Sequence, residues 1–182
     1  MTCIAGIADG ETVWLGGDSA GTSGWDTTIR TDPKVFRKGP YVIGFTDSFR
    51  MGQLLQYSLK VAYPGDLTDE GLHEFMCTAF VDAVRECLKD GGFAETDKDQ
   101  ESGGTFLAGV SGHLFYVGGD YQVGEAANGW NAVGCGKNYA LGSLHSTSRR
   151  GTPETRLKLA LEAAASYSNG VSAPFCFVNT AS

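Results

Sequence analysis

A mixed α+β fold, a four-layer αββα sandwich of two mainly antiparallel sheets between helix pairs, is what the 182-residue sequence predicts. Three observations lead there. Short apolar runs are joined by tight turns, and glycine, at 26 residues, clusters between them, as in closely connected strands. Two pairs of longer segments carry helical patterning. The order is strands, two helices, strands, two helices, strand. Sheet packed on sheet, with a helix pair on each outer side, is the simplest way to bury such faces. The length suits one domain, 1–182, with a sizeable core.

The first predicted hairpin joins Thr2–Ala8 to Thr12–Gly17 across Asp9-Gly10, a strong turn dipeptide between strand-like runs. A second joins Lys34–Arg37 to Tyr41–Phe45 around Lys38-Gly39-Pro40. Ser48–Leu59 follows as a helix. Thr68–Leu88 is the longest helical segment. Its apolar positions 72, 75, 76, 79, 80, 83, 84 and 87 make a core-facing stripe of 3.6 residues, and Asp90-Gly91-Gly92 ends it. The polar stretch Glu95–Ser102 reads as a mobile surface loop. Phe106–Val110 and His113–Val117 form a third hairpin across Ser111-Gly112. Ala132-Val133 and Phe175–Val178 are short strands on either side of the second helix pair, Lys137–His145 and Thr152–Tyr167. Thr152-Pro153-Glu154 has the cap, N1 proline and first-turn acid of a helix start.

Composition narrows the function. A hydrophobic share of 42%, a charged share of 19% and a net charge of −7 describe an ordinary water-soluble domain. With no basic run beyond Arg149-Arg150, nucleic-acid binding is not the expected activity. No apolar stretch approaches a membrane span, and the first residues lack the pattern of a signal peptide. Five scattered cysteines without CxxC spacing fit a reduced, cytoplasmic compartment better than a disulfide framework. His73, His113 and His145 are isolated, so no metal and no cofactor is expected.

The chemistry concentrates at the start. Loss of Met1, which a small second residue permits, makes Thr2 an N-terminal threonine. It then carries a hydroxyl nucleophile and an amine base on one residue. An α-amine titrates near pH 7.7–8, so a fraction is free to take the hydroxyl proton near neutrality. Asp18, in Gly16-Gly17-Asp18, and Lys34, in Asp32-Pro33-Lys34-Val35, stand out beside it. A lysine near the hydroxyl favours the alkoxide and, as a like charge, keeps the amine neutral. An aspartate next to that lysine holds it charged and oriented. Cys3 is internal and faces the opposite side of its strand from Thr2.

Thr2-Cys3-Ile4-Ala5-Gly6, Gly16-Gly17-Asp18 and Lys34, at these separations, resemble the start of proteasome β subunits and their bacterial relative HslV. Gly134-Cys135-Gly136-Lys137-Asn138-Tyr139-Ala140 is similar to the family's Gly-Ser-Gly…Tyr-Ala motif, and Asn169-Gly170-Val171-Ser172 to its late Asp-x-x-Ser element. The resemblance implies an N-terminal-nucleophile hydrolase with the αββα sandwich. It implies a threonine-type endopeptidase, assembled as a homo-oligomeric ring, acting on peptides or unfolded proteins. An unfoldase ATPase is the implied candidate partner. The catalytic set it implies is Thr2, Asp18, Lys34, Cys135, Asn169 and Ser172, with substrate contacts at Gly21, Thr22, Thr46 and Asp47. Backbone N–H groups near Thr46–Ser48 are the implied oxyanion donors. Three departures stand out. In Gly44-Phe45-Thr46-Asp47-Ser48, which matches the family's strand end, the glycine whose N–H serves the family as oxyanion donor is not evident, though a backbone donor does not need a glycine. Cys135 replaces a serine, and a thiol is only a weak donor and acceptor. Asn169 replaces an aspartate, which drops a charge.

Bland readings stand beside these. Asp18 can cap a turn, Lys34 can be an exposed strand charge, Cys135 can pack in a tight turn, and Asn169-Gly170 is a turn dipeptide in its own right. Two other functions also remain open: a non-enzymatic structural or assembly protein that keeps Met1, and an amidase acting on a small molecule.

Overall fold

The computed structural model describes residues 1–97 and 100–181. The strands are β1 (Cys3–Asp9), β2 (Thr12–Gly17), β3 (Ala20–Ser23), β4 (Asp26–Ile29), β5 (Val35–Lys38), β6 (Tyr41–Phe45), β7 (Glu95–Asp97), β8 (Gln100–Ser102), β9 (Phe106–Val110), β10 (His113–Val117), β11 (Val123–Glu125), β12 (Trp130–Gly134) and β13 (Cys176–Asn179). The helices are α1 (Phe49–Gln53), α2 (Asp69–Phe75), α3 (Val81–Asp90), α4 (Lys137–Ser146) and α5 (Pro153–Tyr167). One sheet has the order β12-β1-β2-β13 and the other β11-β10-β9-β6-β5, with antiparallel pairing throughout.

Strand alternation builds the layers. Ile4, Val13, Leu15, Val35, Val42, Leu107 and Leu114 fill the space between the two sheets. Cys3, Ala5 and Ile7, the opposite face of β1, meet Leu144, Leu157 and Leu161 of α4 and α5, as a period of two requires. On the far side, Ile43, Phe106 and Phe115 meet Met76, Phe80, Val84 and Leu88 of the other helical layer. The result is the αββα sandwich.

Several local expectations are corrected. The first hairpin turns at Gly10-Glu11, one residue later than Asp9-Gly10, with Gly10 at a left-handed φ of +62° that suits glycine. An unforeseen hairpin, β3–β4, follows β2. Every residue of β4 is exposed, so it has no apolar alternation to read. Glu95–Ser102 is not a loop: β7 and β8 pair there as a ribbon, residues 98 and 99 lying outside the described residues. The long helix is interrupted by a π-helical stretch, Met76–Phe80, between α2 and α3. A π turn inserts an extra residue, so the buried stripe advances to Phe80, Val81, Val84, Cys87 and Leu88, and Ala79 is left exposed. A second π stretch, Leu54–Ser58, continues α1. Among the described residues, no helix is long and apolar enough to cross a membrane.

This topology gathers chain ends at one edge of the sandwich. Thr2 precedes β1, and Asp18 follows β2, opposite it in the register Ile4↔Gly17. Cys135 follows β12, where Cys3 faces Gly134. Lys34 precedes β5, and Thr46-Asp47 follow β6, where Val35 faces Gly44.

Candidate active site

Thr2 and Asp18 lie at the ends of neighbouring strands, and β5 delivers Lys34 from the facing sheet. Lys34 Nζ is 3.0 Å from Thr2 Oγ1 and 2.9 Å from Asp18 Oδ1. All three residues are buried, with Lys34 only 1% exposed. Burial pushes the Lys34 ammonium below the usual lysine range, and the Asp18 carboxylate opposes that shift. Asp18 is itself tied on both oxygens. Oδ1 also accepts the Cys3 N–H at 2.9 Å, and Oδ2 accepts the N–H groups of Ala20 at 2.9 Å and Ser172 at 3.4 Å. A carboxylate so held is a fixed negative anchor for the lysine.

Met1 is present, and it uses the same groups. Its carbonyl accepts from Thr2 Oγ1 at 2.5 Å and from Lys34 Nζ at 3.3 Å. The Thr2 N–H, here part of a peptide bond, donates to Cys135 Sγ at 3.3 Å. The Cys135 thiol in turn reaches the Thr2 carbonyl at 3.4 Å and the Ser168 hydroxyl at 3.3 Å. Gly136 N–H also donates to the Thr2 carbonyl, at 3.3 Å. Thr2 is thus clamped through its backbone from the β12 end. The buried Cys3 thiol is pushed up to about 12, first by burial and then by Asp18, so it stays protonated.

The other sequence-derived candidates divide. Ser172 takes part through its backbone, its carbonyl accepting Ser19 N–H at 3.0 Å. Asn169 is exposed and makes no side-chain hydrogen bond among the described residues; Ser168, one position earlier, is the residue that meets Cys135. Thr46 and Asp47 border a cleft of about 610 Å³ beside Thr2, together with Thr105, Asn131, Cys135 and Lys137. A second recess, of about 50 Å³, is bordered by Thr22, Phe45, Thr46, Asp47, Ser48 and Phe49, and also by Met1 and Thr2. Gly21 lies behind it, against Arg30 and Phe49. Asp47 has a left-handed φ of +60°, which aspartate tolerates better than most residues. Its Oδ2 holds the Thr105 N–H at 2.7 Å, and among the described residues no protein acceptor takes the Asp47 N–H. Ser168, Phe49, Arg30 and Thr105 were not singled out in the sequence. An aromatic residue just past a strand end, in the first turn of a helix, was the available signal for Phe49. No group of His, Cys, Asp and Glu among the described residues forms a metal-ligating cluster.

Chemically, the arrangement offers a buried hydroxyl against a buried ammonium and an anchored carboxylate behind that ammonium, with Asp47, whose N–H has no protein acceptor among the described residues, bordering the cleft. The sequence matches no family model and no curated protein. Solved structures share the fold. Thiobacillus denitrificans BPH in complex with Epoxomicin superposes with a TM-score of 0.79 at 19% identity, covering 98% of this chain and 97% of that one. Eukaryotic HslV from Trypanosoma brucei gives 0.70 at 19% identity, covering 98% of each chain. An Anbu (Gly-1) mutant from Hyphomicrobium sp. strain MC1 gives 0.66 at 16% identity, covering 98% of this chain and 80% of that one. The chain therefore has the HslV-type sandwich.

Proposed function

We propose that this chain is a threonine-type endopeptidase of the HslV and proteasome kind, with Thr2 as nucleophile once the Met1–Thr2 bond is cut. The observation that carries the reading is the buried Lys34 Nζ, 3.0 Å from Thr2 Oγ1 and 2.9 Å from Asp18 Oδ1. In the processed protein, Thr2 Oγ attacks the scissile carbonyl while its own amine, directly or through a water, takes the proton. Lys34 stabilises the charge that develops on Oγ, and Asp18 holds Lys34. The Asp47 N–H is the donor for the oxyanion; a preorganised backbone donor in a poorly solvated site acts strongly there. A water activated by the same amine then releases the acyl group. The substrates are peptides or unfolded protein. Residues 1–182 act as one domain in a cytoplasmic homo-oligomeric ring, the compartment that keeps such a cleft from intact proteins, with an unfoldase ATPase as partner.

A second reading has its own support. Met1 caps the nucleophile, since its carbonyl takes hydrogen bonds from both Thr2 Oγ1 and Lys34 Nζ. A chain that keeps Met1 has no free amine and serves as a structural or assembly protein.

Intact mass, amide turnover and covalent labelling separate the two. Processed protein is expected to cleave peptides and to take an adduct on Thr2 with epoxomicin, the ligand named with the Thiobacillus structure. Thr2→Ala and a Met1-retaining form are expected to lose turnover by several orders of magnitude, because the parts of such a unit act together. Equal cleavage by all three forms, or neither cleavage nor adduct in the processed form, returns the structural reading.

A further inference from the structure

We propose that the Asp47 carboxylate is a positioning group for the oxyanion: by holding the Thr105 N–H it locks a strained turn that aims the Asp47 N–H into the cleft. The inference rests on the peptidase reading and goes beyond it, giving the Asp47 side chain a part separate from that of its backbone.

The turn is Thr46-Asp47-Ser48, between β6 and α1. Its closing bond runs from the Ser48 N–H to the Thr46 carbonyl at 2.7 Å. Asp47, between them, has a φ of +60°. A bond spanning two residues about a centre at positive φ makes a γ-turn of the rarer, strained kind. The turn sets a direction. The Thr46–Asp47 peptide is trans, so its C=O and N–H point opposite ways. With the carbonyl folded into the turn, the Asp47 N–H faces out of it, and among the described residues no protein acceptor takes it. Thr46 and Asp47 both border the cleft that touches Thr2.

Strain of this kind persists only where the surroundings over-determine it. Thr105, just before β9, does so here. Its carbonyl accepts the Thr46 N–H at 3.1 Å and the Thr46 hydroxyl at 2.8 Å. Its N–H is taken by Asp47 Oδ2 at 2.7 Å. The first two bonds fix the residue before the centre of the turn, and the third holds the centre itself. On the other side, Ser48 caps α1 by accepting the Arg50 N–H at 3.0 Å. Gly104 leaves space for the carboxylate, since a Cβ there would stand 3.2 Å from Oδ2. None of these bonds uses an atom of Met1, so cutting the Met1–Thr2 bond removes none of them. Aspartate and asparagine tolerate this φ better than most residues with a side chain, and both carry an acceptor oxygen on the same short stem. The role therefore needs the short acceptor rather than the charge.

The test uses processed wild type, Asp47→Ala, Asp47→Asn and Asp47→Glu, each checked for folding by thermal unfolding. A quenched-fluorescence peptide gives kcat and KM. Binding is measured for a peptide aldehyde and for the matching peptide alcohol, which cannot react. With the aldehyde, Thr2 Oγ bonds to the carbonyl carbon, the hydroxyl proton passes to the Thr2 amine, and the carbonyl oxygen becomes the oxyanion. Loss of a whole oxyanion donor costs about 10²–10³ in kcat. Asp47→Ala keeps the donor but not its aim, so kcat is expected to fall at least about tenfold with KM within about threefold. Affinity for the aldehyde is expected to fall with kcat, and affinity for the alcohol to stay. Asp47→Asn is expected to recover most of the loss. Asp47→Glu, its carboxylate one methylene further out, is expected to recover little, and it carries the test if Asp47→Ala does not fold. An unaltered kcat in the folded variant overturns the proposal. So does an equal loss of affinity for aldehyde and alcohol, or an Asp47→Asn no more active than Asp47→Glu. Labelling of Thr2 by epoxomicin without cleavage of any peptide overturns this proposal alone. Neither labelling nor cleavage by any form overturns the peptidase reading and this one with it.

Discussion

Replacing Asp18 by Asn tests whether the buried charge pair underlies the site. Both Asp18 oxygens accept from N–H groups: Oδ1 from Lys34 and Cys3, Oδ2 from Ala20 and Ser172. Whichever way the amide turns, its NH₂ faces donors and leaves them unpartnered. Each buried group so orphaned costs about 1–3 kcal/mol. The larger effect is the lysine, whose partner is gone while its side chain is 1% exposed. Breaking a buried pair in this way costs about 3–5 kcal/mol, against a total stability of about 5–15 kcal/mol for a domain. Urea unfolding of the Met1-containing protein measures this apart from catalysis. Asp18→Asn is expected to lose about 4 kcal/mol or more. The double variant Asp18→Asn/Lys34→Met is expected to be more stable than the sum of the single losses allows, by at least about 1 kcal/mol. The pH dependence has a definite sign. Burial lowers the folded-state pKa of Lys34, while the unfolded value is about 10.4. Between the two, the unfolded chain holds a proton that the folded chain lacks, so stability rises with pH. Removing Asp18 removes the main group that opposes the lowering, so the rise begins at lower pH in Asp18→Asn. A loss below about 1 kcal/mol, strict additivity, or a pH profile identical to wild type would refute the reasoning.

Two glycines give sharper local tests. Gly134 has a φ of +94°, and a Cβ there would stand 2.2 Å from the Thr2 carbonyl oxygen. Gly134→Ala is expected to cost at least about 1 kcal/mol in urea unfolding and, by displacing Thr2, to lower the labelling rate of the processed protein more than tenfold; unchanged labelling counts against the clamp. A Cβ on Gly170 would stand 2.2 Å from Met1 Cβ. Gly170→Ala is therefore expected to destabilise the Met1-containing form more than the processed form, as seen by their melting temperatures, and equal shifts would mean that Met1 does not pack there.

The layers were legible because each rests on a repeating apolar signal. Ile4 alternates with Cys3 and Ala5 along β1, and the faces of Thr68–Leu88 and Thr152–Tyr167 recur at helical spacing. What was illegible lacked such a signal. The exposed β4 has no buried face, and β7–β8 is a polar ribbon. The π stretch at Met76–Phe80 shifts a helical face by one residue without altering composition. In the site, spacing grouped Thr2, Asp18 and Lys34, and in the fold they meet because the ends of β1 and β2 and the start of β5 share one edge. Asn169 was named from a motif, but motif position does not fix side-chain direction. The turn after α5 leaves Asn169 exposed and turns Ser168 to Cys135. Phe49 and Arg30 carry no motif at all, and only the folded β3–β4 and β6–α1 connections bring them together.

The thiol at position 135 and the exposure of Asn169 bear on how the amine can work. Where a carboxylate hydrogen-bonded to the Thr2 amine would hold it protonated, the groups on this side of Thr2 are a thiol, a hydroxyl and the Gly136 N–H. The charges hydrogen-bonded around Thr2 Oγ1 are therefore Lys34 and, behind it, Asp18. A cation 3.0 Å from Oγ1 disfavours a second cation on the same residue, so on the proposed reading this neighbourhood would favour the neutral amine that general-base action needs. The same logic makes Met1 decisive for the proposed reading. In the Met1-containing chain that nitrogen is a peptide N–H which can only donate, as it does to Cys135 Sγ. The lysine then has a carbonyl as well as a hydroxyl to hold. On the proposed reading, cutting the Met1–Thr2 bond would convert that donor into a base and release the hydroxyl and the ammonium from the Met1 carbonyl.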